Sequence, residues 1–361
     1  MSNREFQIRR DDIRQTRFVD APSPALEPGQ LRLRVDKVAF TANNVTYAVA
    51  GDYLKYWNFF PTNEEGWGKL PVWGFADVVE SAEPSITVGE RIYGYFPLSS
   101  ELVVTAGKIH EAGFTDVAPH RRELNAIYNQ YTRVGQVAGY EQEELNALLR
   151  PMFLTAFLID DFLADNDFFG AEQLVLSSAS SKTGYATAFL LNEAQGVRRL
   201  DSTVGLTSDS RIEFVESLDC YQQVLAYGEH EQLPSDVATV YVDFAGSGPL
   251  RRQLHDYFGD SLKYDCAVGL TDWENRGGSG KVKGVRPQMF FAPAQAQKRI
   301  AEWGGATLQR KMGEAFGRFL AFSTDNLLVT PLSGEEAITK TYLAMVENEA
   351  SPERGFIFLL N

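Results

Sequence analysis

The sequence has few of the residues that bind metals or form disulfides. Its 361 residues include only two cysteines and four histidines. They are Cys220, Cys266, His110, His120, His230 and His255. The cysteines do not stand in pairs at metal-ligand spacing, and no two histidines follow the HxxxH or HExxH spacing that places both imidazoles on one helix face. We therefore expect neither a disulfide framework nor a protein-bound metal ion.

Long apolar runs and an excess of basic residues are also missing. No apolar segment approaches the roughly 20 residues that span a bilayer, and the polar start SNREFQIRRDD lacks the apolar region of a secretory signal. The 48 acidic residues outnumber the 34 basic ones and give a formal net charge of -14, which repels phosphate backbones and anionic membranes. The sequence predicts a soluble, cytoplasmic protein that binds neither nucleic acid nor membranes.

The chain is long enough for about two domains. Hydrophobic residues make up 44% and charged residues 23% of it, which is typical of a globular protein. In the first part, LRLRVDKVAF at residues 31–40 alternates apolar and polar residues, and Gly, Pro or Ser bound the further short segments PVWGFADVVES, ERIYGYFPL and ELVVTA. This pattern predicts a mostly β-stranded first domain.

Strands and helices alternate after a boundary region at residues 114–149. The segments QLVLS, STVGLTS, QVLAYG, TVYVDFAG and LKYDCAVGL have the pattern of strands, and GYATAFLLNEAQG, SRIEFVESLDC and PLRRQLHDYFG have that of helices. Such alternation predicts a parallel sheet covered by helices, which is a doubly wound α/β fold of the Rossmann type.

The first strand of this alternating part leads into a candidate phosphate-binding turn. In doubly wound folds the turn after this strand presents backbone N–H groups to a pyrophosphate. The usual glycine fingerprint is absent, but hydroxyls and one lysine can bind phosphate through side chains. The candidate cofactor residues here are Ser178, Ser180, Ser181, Lys182, Thr183 and Gly184. An ordinary capped helix start is the alternative interpretation.

The end of the second strand bears on the choice between NADPH and NADH. NAD enzymes usually place an Asp or Glu there to bind the ribose 2′-hydroxyl, whereas this chain has Thr207, Ser208 and Arg211. A hydroxyl and a guanidinium can accept a 2′-phosphate that an acid would repel. The pattern therefore favours NADPH over NADH. Asp209 is the counter-evidence, because it can be a ribose ligand or merely a helix cap.

Later strand ends add further cofactor candidates. Ligands bind at the carboxyl ends of parallel strands, and small residues there allow close approach to the backbone. The additional candidates are Tyr227, Ala245, Gly246 and Gly269. Each glycine, taken singly, is equally well explained by an ordinary strand-to-helix turn.

The order of elements resembles the medium-chain dehydrogenase/reductase superfamily. ALEPGQLRLRVDKVAFTANN is similar to its opening strand, LPVWGFADVVES to its Pro-x-x-Gly entry into the catalytic core, and VGERIYGYF to its Gly-Asp-Arg-Val turn. QLVLSSASSKTGYATAFLL and GLTSDSRIEFVESLDCYQQVLAYGE resemble its cofactor strand and second unit. The resemblance implies a GroES-like catalytic domain at 1–150 and 325–361 and a Rossmann-type NADPH-binding domain at 151–324. Within the superfamily, the chain is most similar to the DUF2855 family.

The resemblance also implies a catalytic side chain. The zinc ligands of the alcohol dehydrogenase branch have no counterparts here, so the sequence resembles the zinc-independent quinone oxidoreductase and enoyl reductase branch, in which a Tyr after an Asn motif can donate a proton. Asn44 stands near that Asn, and Tyr53 and Tyr47 are rival proton donors. The aromatic stretch around them suits a flat apolar substrate, but packing between domains explains it as well.

These observations predict an NADPH-dependent, zinc-free oxidoreductase that reduces an activated carbon–carbon double bond, in an enone or enoyl thioester, or a quinone. Its partner would be a small hydrophobic or aromatic substrate. A non-catalytic nucleotide sensor or interaction protein that keeps the dehydrogenase fold is the alternative, because the glycine fingerprint and the zinc set are missing. The superfamily also implies a homodimer, paired through the strand around residues 288–292.

Overall fold

The computed structural model describes residues 3–137, 139–194, 200–268 and 282–360. The chain divides into two compact units. Unit 1 comprises Met1–Leu148 and Leu327–Asn361, and unit 2 comprises Leu149–Asn326. The sequence placed the two boundaries after residues 150 and 324.

The helices and strands follow one another along the chain as listed here in chain order. Unit 1 starts with β1 (Asn3–Arg9), β2 (Thr16–Ala21), β3 (Gln30–Phe40), α1 (Ala42–Val49), β4 (Trp67–Lys69), β5 (Pro71–Ser81), β6 (Arg91–Pro97), β7 (Glu101–His110), β8 (Gly113–Asp116) and β9 (Gln130–Arg133). Helix α2 (Glu143–Asp165) contains the unit boundary. Unit 2 continues with β10 (Gln173–Leu176), α3 (Lys182–Glu193), β11 (Ser202–Thr207), α4 (Ile212–Ser217), β12 (Gln223–Ala226), β13 (Thr239–Asp243), α5 (Gly248–Phe258), β14 (Leu262–Ala267), β15 (Gln288–Met289), α6 (Ala292–Trp303) and α7 (Gly305–Asn326). Unit 1 ends with β16 (Leu328–Ser333), α8 (Glu335–Val346) and β17 (Arg354–Leu359).

Unit 1 is built around a closed antiparallel barrel. Strands β3, β5, β6, β9, β8 and β7 pair in that order, and β7 also pairs with β3. The sheet thereby has no free edge along this circuit. Strand β17 joins the end of β3, and β16 lies parallel to β17. The predicted β-rich, GroES-like domain is confirmed.

Unit 2 contains a parallel sheet in the order β12-β11-β10-β13-β14-β15. Its central strands β10 and β13 are buried throughout, because helices cover both faces of such sheets and the strands are nearly continuous apolar runs. Numbered from β10, this is the order 3-2-1-4-5-6 of a Rossmann fold, which confirms the predicted fold class. The strand order reverses between β10 and β13, and ligands bind beyond the carboxyl ends at such a point.

Helix α2 continues through Pro151, although the sequence indicates an interruption there. A proline inside a helix removes one N–H donor and crowds the preceding turn. Leu148, Leu149, Phe153 and Ala156 of the same helix are all buried. Their burial stabilises the helical path on both sides of the proline, so the helix does not end.

Candidate functional site

A buried polar network holds the two strand ends at the reversal point of unit 2. Ser177 follows β10 and its Oγ donates to Oδ1 of Asp243, the last residue of β13, over 2.8 Å. The backbone N–H groups of Ala245 and Gly246 donate to the same Oδ1 over 3.1 and 2.9 Å. Ser177 and Asp243 are both fully buried. These bonds fix the turn that carries the candidates Ala245 and Gly246.

The charge of Asp243 is balanced from helix α5. Arg251 forms ion pairs with both Asp243 and Asp265, and the Nε2 atom of His255 lies 2.8 Å from Oδ2 of Asp265. Burial raises the pKa of Asp243, and the charge of Arg251 acts against that rise. Burial disfavours a charge on His255, but its hydrogen bonds to Asp265 and to the carbonyl of Lys283, together with the charge of Asp265, raise the pKa of His255. The network keeps buried charges paired, as burial requires.

The turn between β10 and α3 lacks the glycine fingerprint of a phosphate loop. Ser178 has a φ of 51°, a left-handed conformation that glycine usually occupies. Ser181 caps α3, because its Oγ accepts a hydrogen bond from the N–H of Gly184 over 3.1 Å. A Cβ atom at Gly184 would lie 2.7 Å from the carbonyl oxygen of Ser178. Gly184 therefore has no room for a side chain, and Ser178 occupies the left-handed position where a glycine is usual.

Two cations lie close to each other beside this turn. Lys182 is the first residue of α3 and Arg211 follows β11; both are half-buried. Burial and then the charge of Arg211 lower the pKa of Lys182 to about 8. Burial also lowers the pKa of Arg211, and Tyr227 acts against that change. The charge of Arg211 therefore acts on Lys182, and Tyr227 acts on Arg211.

Tyr227 joins the end of β12 to the turn after β10. Its hydroxyl accepts a hydrogen bond from the N–H of Ser178 over 3.0 Å, and its ring is 39% exposed. Thr207 is buried at the end of β11, and the Oγ atoms of Ser208 and Ser210 lie 3.4 Å apart. The structure thus brings the candidates from three neighbouring strand ends together. Gly269, the remaining candidate, lies outside the described residues.

The proposed catalytic residues lie in unit 1, and the structure separates the two tyrosines. Tyr53 is in a turn and is 80% exposed, whereas Tyr47 on α1 is 4% exposed. Asn44 is buried, its Oδ1 accepts a hydrogen bond from the N–H of Thr41 over 2.8 Å, and its Nδ2 donates to the carbonyl of Pro71 over 2.9 Å. Both polar atoms of Asn44 therefore fix the start of α1 against β5.

Tyr47 belongs to an aromatic group that we call the tyrosine cluster. Its buried members are Tyr47, Phe59, Phe60 and Tyr95, and its half-buried members are Tyr56, Trp73, Leu102, Leu124 and Tyr128. Trp73 Nε1 donates to the Tyr47 hydroxyl over 3.2 Å. Burial raises the pKa of Tyr47 well above its ordinary value, so its phenol keeps its proton at neutral pH and is a weaker acid than an exposed tyrosine.

Sequence reasoning missed several residues that shape these sites. Ser177, Asp243 and Arg251 hold the reversal point, and Tyr221 donates from its hydroxyl to the carbonyl of Ala179 over 3.0 Å. An acid at the end of the apolar strand TVYVD was the one local signal for Asp243. Tyr128 carries no local motif, because its role depends on packing with residues far away in the sequence.

The sequence matches the family described as "Protein of unknown function (DUF2855)" over residues 38–351. The chain belongs to the DUF2855 family. No curated protein matches this DUF2855 sequence.

Solved structures share the fold of this DUF2855 protein. CurA from Vibrio vulnificus aligns over 100% of this chain and 99% of its own, with a TM-score of 0.59 and 9% sequence identity; CurA in complex with NADPH also matches. CurK enoyl reductase aligns over 99% of both chains, with a TM-score of 0.54 and 15% identity. The yhdH oxidoreductase from Salmonella enterica, in complex with NADP, covers 99% of this chain and 100% of its own, with a TM-score of 0.53 and 12% identity. These likenesses confirm the predicted fold, in which a GroES-like unit is combined with a Rossmann-type unit.

Two features are absent from the described part of the chain. Within it, no helix is long and apolar enough to cross a membrane. Among the same residues, no group of three His, Cys, Asp or Glu side chains is arranged to hold a metal ion.

Proposed function

We propose that the protein is an NADPH-dependent, zinc-free oxidoreductase that reduces an activated carbon–carbon double bond or a quinone. The observation that carries the proposal is the pair of half-buried cations, Lys182 and Arg211, at the carboxyl ends of β10 and β11. Like charges brought together disfavour each other, and an anion between them relieves that repulsion. The 2′-phosphate of NADPH is such an anion at the matching point of a Rossmann fold.

The residues of unit 2 fit the remaining parts of this cofactor. Lys182 and Arg211 would bind the 2′-phosphate by charge-assisted hydrogen bonds, with Ser208 and Tyr227 supplying hydroxyls. The N-terminus of α3 would face the pyrophosphate, since the first N–H groups of a helix attract anions. The turn after β13, fixed by Asp243, would leave room for the cofactor beside Gly246.

Tyr47 would supply the proton of the reaction. When bound, the nicotinamide supplies a hydride. Because Trp73 donates a hydrogen bond to the Tyr47 oxygen, the phenol is held in one orientation and its own hydrogen is directed to another acceptor. Tyr47 is preferred to Tyr53, since a catalytic proton donor needs a fixed orientation and Tyr53 is 80% exposed.

The substrate class follows from the half-buried members of the tyrosine cluster. Tyr56, Trp73, Leu102, Leu124 and Tyr128 expose aromatic and aliphatic surface without carrying a formal charge. Aromatic walls favour flat or apolar ligands. A conjugated enone, an enoyl thioester or a quinone has this shape and accepts a hydride.

An acceptor screen tests the proposed reaction. NADPH absorbance is followed with enones, quinones and enoyl thioesters, and the Tyr47→Phe and Tyr53→Phe variants are compared. We expect substrate-dependent loss of NADPH and a fall in kcat of about 100-fold in Tyr47→Phe. A larger loss in Tyr53→Phe would overturn the choice of Tyr47. NADPH binding without turnover of any acceptor would favour the nucleotide sensor instead.

We also propose that the protein forms a homodimer through the sheet edge at β15. Edge strands present unpaired backbone groups that can pair with a second copy, and the apolar side chains there, Met289 and Phe291, are 70% and 60% exposed. Sedimentation equilibrium of the wild type and of Met289→Lys measures the association. A wild-type protein that stays monomeric at all concentrations would contradict this proposal.

A further inference from the structure

Both ring nitrogens of the buried His255 face oxygen acceptors. Its Nδ1 atom lies 2.8 Å from the carbonyl oxygen of Lys283, and its Nε2 atom lies 2.8 Å from Oδ2 of Asp265. A carbonyl oxygen and a carboxylate only accept hydrogen bonds, whereas a neutral imidazole has one N–H group and one acceptor nitrogen. A neutral ring can therefore satisfy only one of the two contacts, and an imidazolium satisfies both.

The charges around the ring balance when His255 is an imidazolium. Asp243 at the end of β13 and Asp265 in β14 are both fully buried, and Arg251 of α5 forms an ion pair with each of them. One guanidinium balances only one of the two carboxylates. Because buried charges are costly unless they are paired, the second carboxylate needs the second cation that a protonated His255 supplies.

Other titratable groups next to this network leave the balance unchanged. Tyr241 of β13 and Cys266 of β14 are buried, and burial raises the pKa of both, which keeps them neutral. The ammonium of Lys283 is directed to solvent, where it lies 3.1 Å from Oδ1 of the exposed Asp256. The contact of Lys283 with His255 is thus made by its backbone, and its side chain makes a separate ion pair.

Lys283 leads into a segment that joins the edge of the parallel sheet. We call residues 283–290 the β15 segment. Val285 packs against an apolar cluster to which α5 and β14 contribute. Strand β15 has two residues, both paired with β14, and the N–H of Phe290 donates to the carbonyl of Ala267 over 2.9 Å. Because this pairing is so short, the buried hydrogen bond from His255 is a substantial part of what holds the segment.

We propose that His255 is a pH-dependent latch, whose imidazolium holds the β15 segment through the Lys283 carbonyl and whose loss of one proton to solvent releases it. A neutral ring would keep its N–H toward Asp265, since a hydrogen bond to a charged acceptor is the stronger one. The lone pair of Nδ1 would then face the lone pairs of the Lys283 oxygen, and the two atoms would repel each other. The latch does not depend on the proposed reductase function.

The latch opens as pH rises. Burial opposes a charge on His255, but its hydrogen bonds to Asp265 and Lys283 raise its pKa above the ordinary value of 6.5. Between these two pKa values the folded chain binds more protons than the unfolded chain. The stabilisation is therefore complete below about pH 6.5 and is lost as pH rises through the pKa of the folded protein.

Nitrogen NMR of protein with 15N-labelled histidine tests the protonation state directly. The chain has only four histidines, and His255→Gln identifies the signals of His255. His230 is the matched control, because it is also buried but burial lowers its pKa. At pH 6.5 we expect hydrogens on both ring nitrogens of His255 and a mostly neutral His230. A His255 ring with a single N–H at this pH would overturn the latch.

Hydrogen exchange then tests whether the proton holds the β15 segment. The protection of the Phe290 amide, corrected for the intrinsic pH dependence of exchange, is measured across the titration of His255. We expect this protection to fall about tenfold as His255 loses its proton, while amides of the central strands β10 and β13 keep theirs. Constant protection of Phe290 through that titration would overturn the latch.

Two variants separate the ring from the neighbouring ion pair. His255→Gln should abolish the pH dependence of Phe290 protection, because glutamine does not titrate. Lys283→Ala removes the ammonium but keeps the carbonyl, so it should retain the dependence of the wild type. Loss of the dependence in Lys283→Ala, or its persistence in His255→Gln, would overturn the latch. If His255→Gln does not fold, the wild type and Lys283→Ala still decide.

Discussion

The turn after β10 in unit 2 and the tyrosine cluster in unit 1 are assembled in opposite ways. The turn places Ser178 through Gly184 side by side in the sequence, and Arg211 and Tyr227 each follow one of the next two strands. The cluster instead draws Tyr47, Trp73 and Tyr128 from separate segments of the chain. The first site depends on local sequence and parallel strands, and the second depends on packing alone.

This difference determines what each site can do. At the strand ends, half-buried charges and exposed backbone groups suit a charged, water-soluble cofactor. In the cluster, burial raises the pKa values of the phenols and keeps them neutral, and the apolar surroundings suit an apolar substrate. The variants below each remove one feature: a buried polar contact, a packing contact, a charge or a left-handed conformation. Their effects on stability and on nucleotide binding show what each region contributes.

The largest effect is expected at the reversal point of unit 2. Asp243→Ala removes the acceptor of Ser177 and of two backbone N–H groups and leaves Arg251 without one of its two carboxylates. Breaking a buried ion pair in this way costs about 3–5 kcal/mol. Denaturant unfolding measures the loss in the free energy of unfolding. The exposed Asp209→Ala serves as the control, and equal stability of the two variants would contradict the role of Asp243.

The next largest loss of stability is expected where Trp57 packs in unit 1. Trp57 is buried between two glycines, and a Cβ atom at Gly68 would lie 2.4 Å from its ring. Overpacking of this kind costs about 1–3 kcal/mol, so Gly68→Ala should lower the thermal unfolding midpoint. Gly135→Ala, where no atom lies within 4 Å of the added Cβ, should leave it unchanged. Similar midpoints in both variants would show that Trp57 is free to move aside.

A charge change should act on the cofactor and spare the fold. Lys182→Met removes one of the two cations, and the affinity for NADPH should fall about 10- to 100-fold while that for NADH changes little. In the wild type, the same loss should appear as pH rises above about 8, where Lys182 gives up its proton. Titration below and above this pH measures both effects. Equal losses for NADPH and NADH would contradict contact with the 2′-phosphate.

The ligand-free protein should respond to pH in the opposite sense. Because Lys182 has a pKa of about 8 in the folded protein and an ordinary value of 10.5, the unfolded chain binds more protons between these values. Stability therefore rises with pH across this window. Denaturant unfolding of the wild type and of Lys182→Met tests this, since the variant should lack the rise. A rise of equal size in the variant would mean that another group causes it.

The smallest effect is expected at the left-handed serine. Ser178→Gly relieves a left-handed conformation that costs a side chain about 1–2 kcal/mol, but glycine loses more freedom on folding, by about 0.5–1 kcal/mol. The net gain in stability should lie between about 0 and 1.5 kcal/mol and be measurable as a slightly higher unfolding midpoint. Ser181→Ala, which removes the cap of α3, should instead lose about 1 kcal/mol. A loss in Ser178→Gly as well would show that its side chain is needed.

The sequence predicted the fold and drew attention to the turn after β10, because both depend on residues that are close together in the sequence. Alternating apolar segments predicted a parallel sheet, and the strand, hydroxyl-rich turn and helix at Ser178 to Gly184 follow one another directly. The strand order 3-2-1-4-5-6 comes from the structure, because the alternation alone fits several orders. Gly269 lies outside the described residues, and the cofactor role of every candidate residue stays a prediction.

The other residues of the candidate sites could not be predicted from local sequence. Ser177 and Asp243 are 66 positions apart and meet only because β10 lies beside β13. Tyr53 and Tyr47 were equivalent in the sequence, and only burial distinguishes them. Tyr128 stands 81 positions after Tyr47 in the short 3-10 helix Ala126–Asn129, and no pattern connects two residues at that spacing. Such contacts depend on tertiary packing, which local hydrophobic periodicity does not predict.

The most direct test of the central claim is a calorimetric titration of the purified protein with NADPH and NADH, repeated with Arg211→Ala. We expect NADPH to bind more tightly than NADH, and the difference between the two nucleotides to be greatly reduced in the variant, because the guanidinium contacts the 2′-phosphate. Failure of the wild type to bind either nucleotide would contradict the account and leave a dehydrogenase fold without its cofactor.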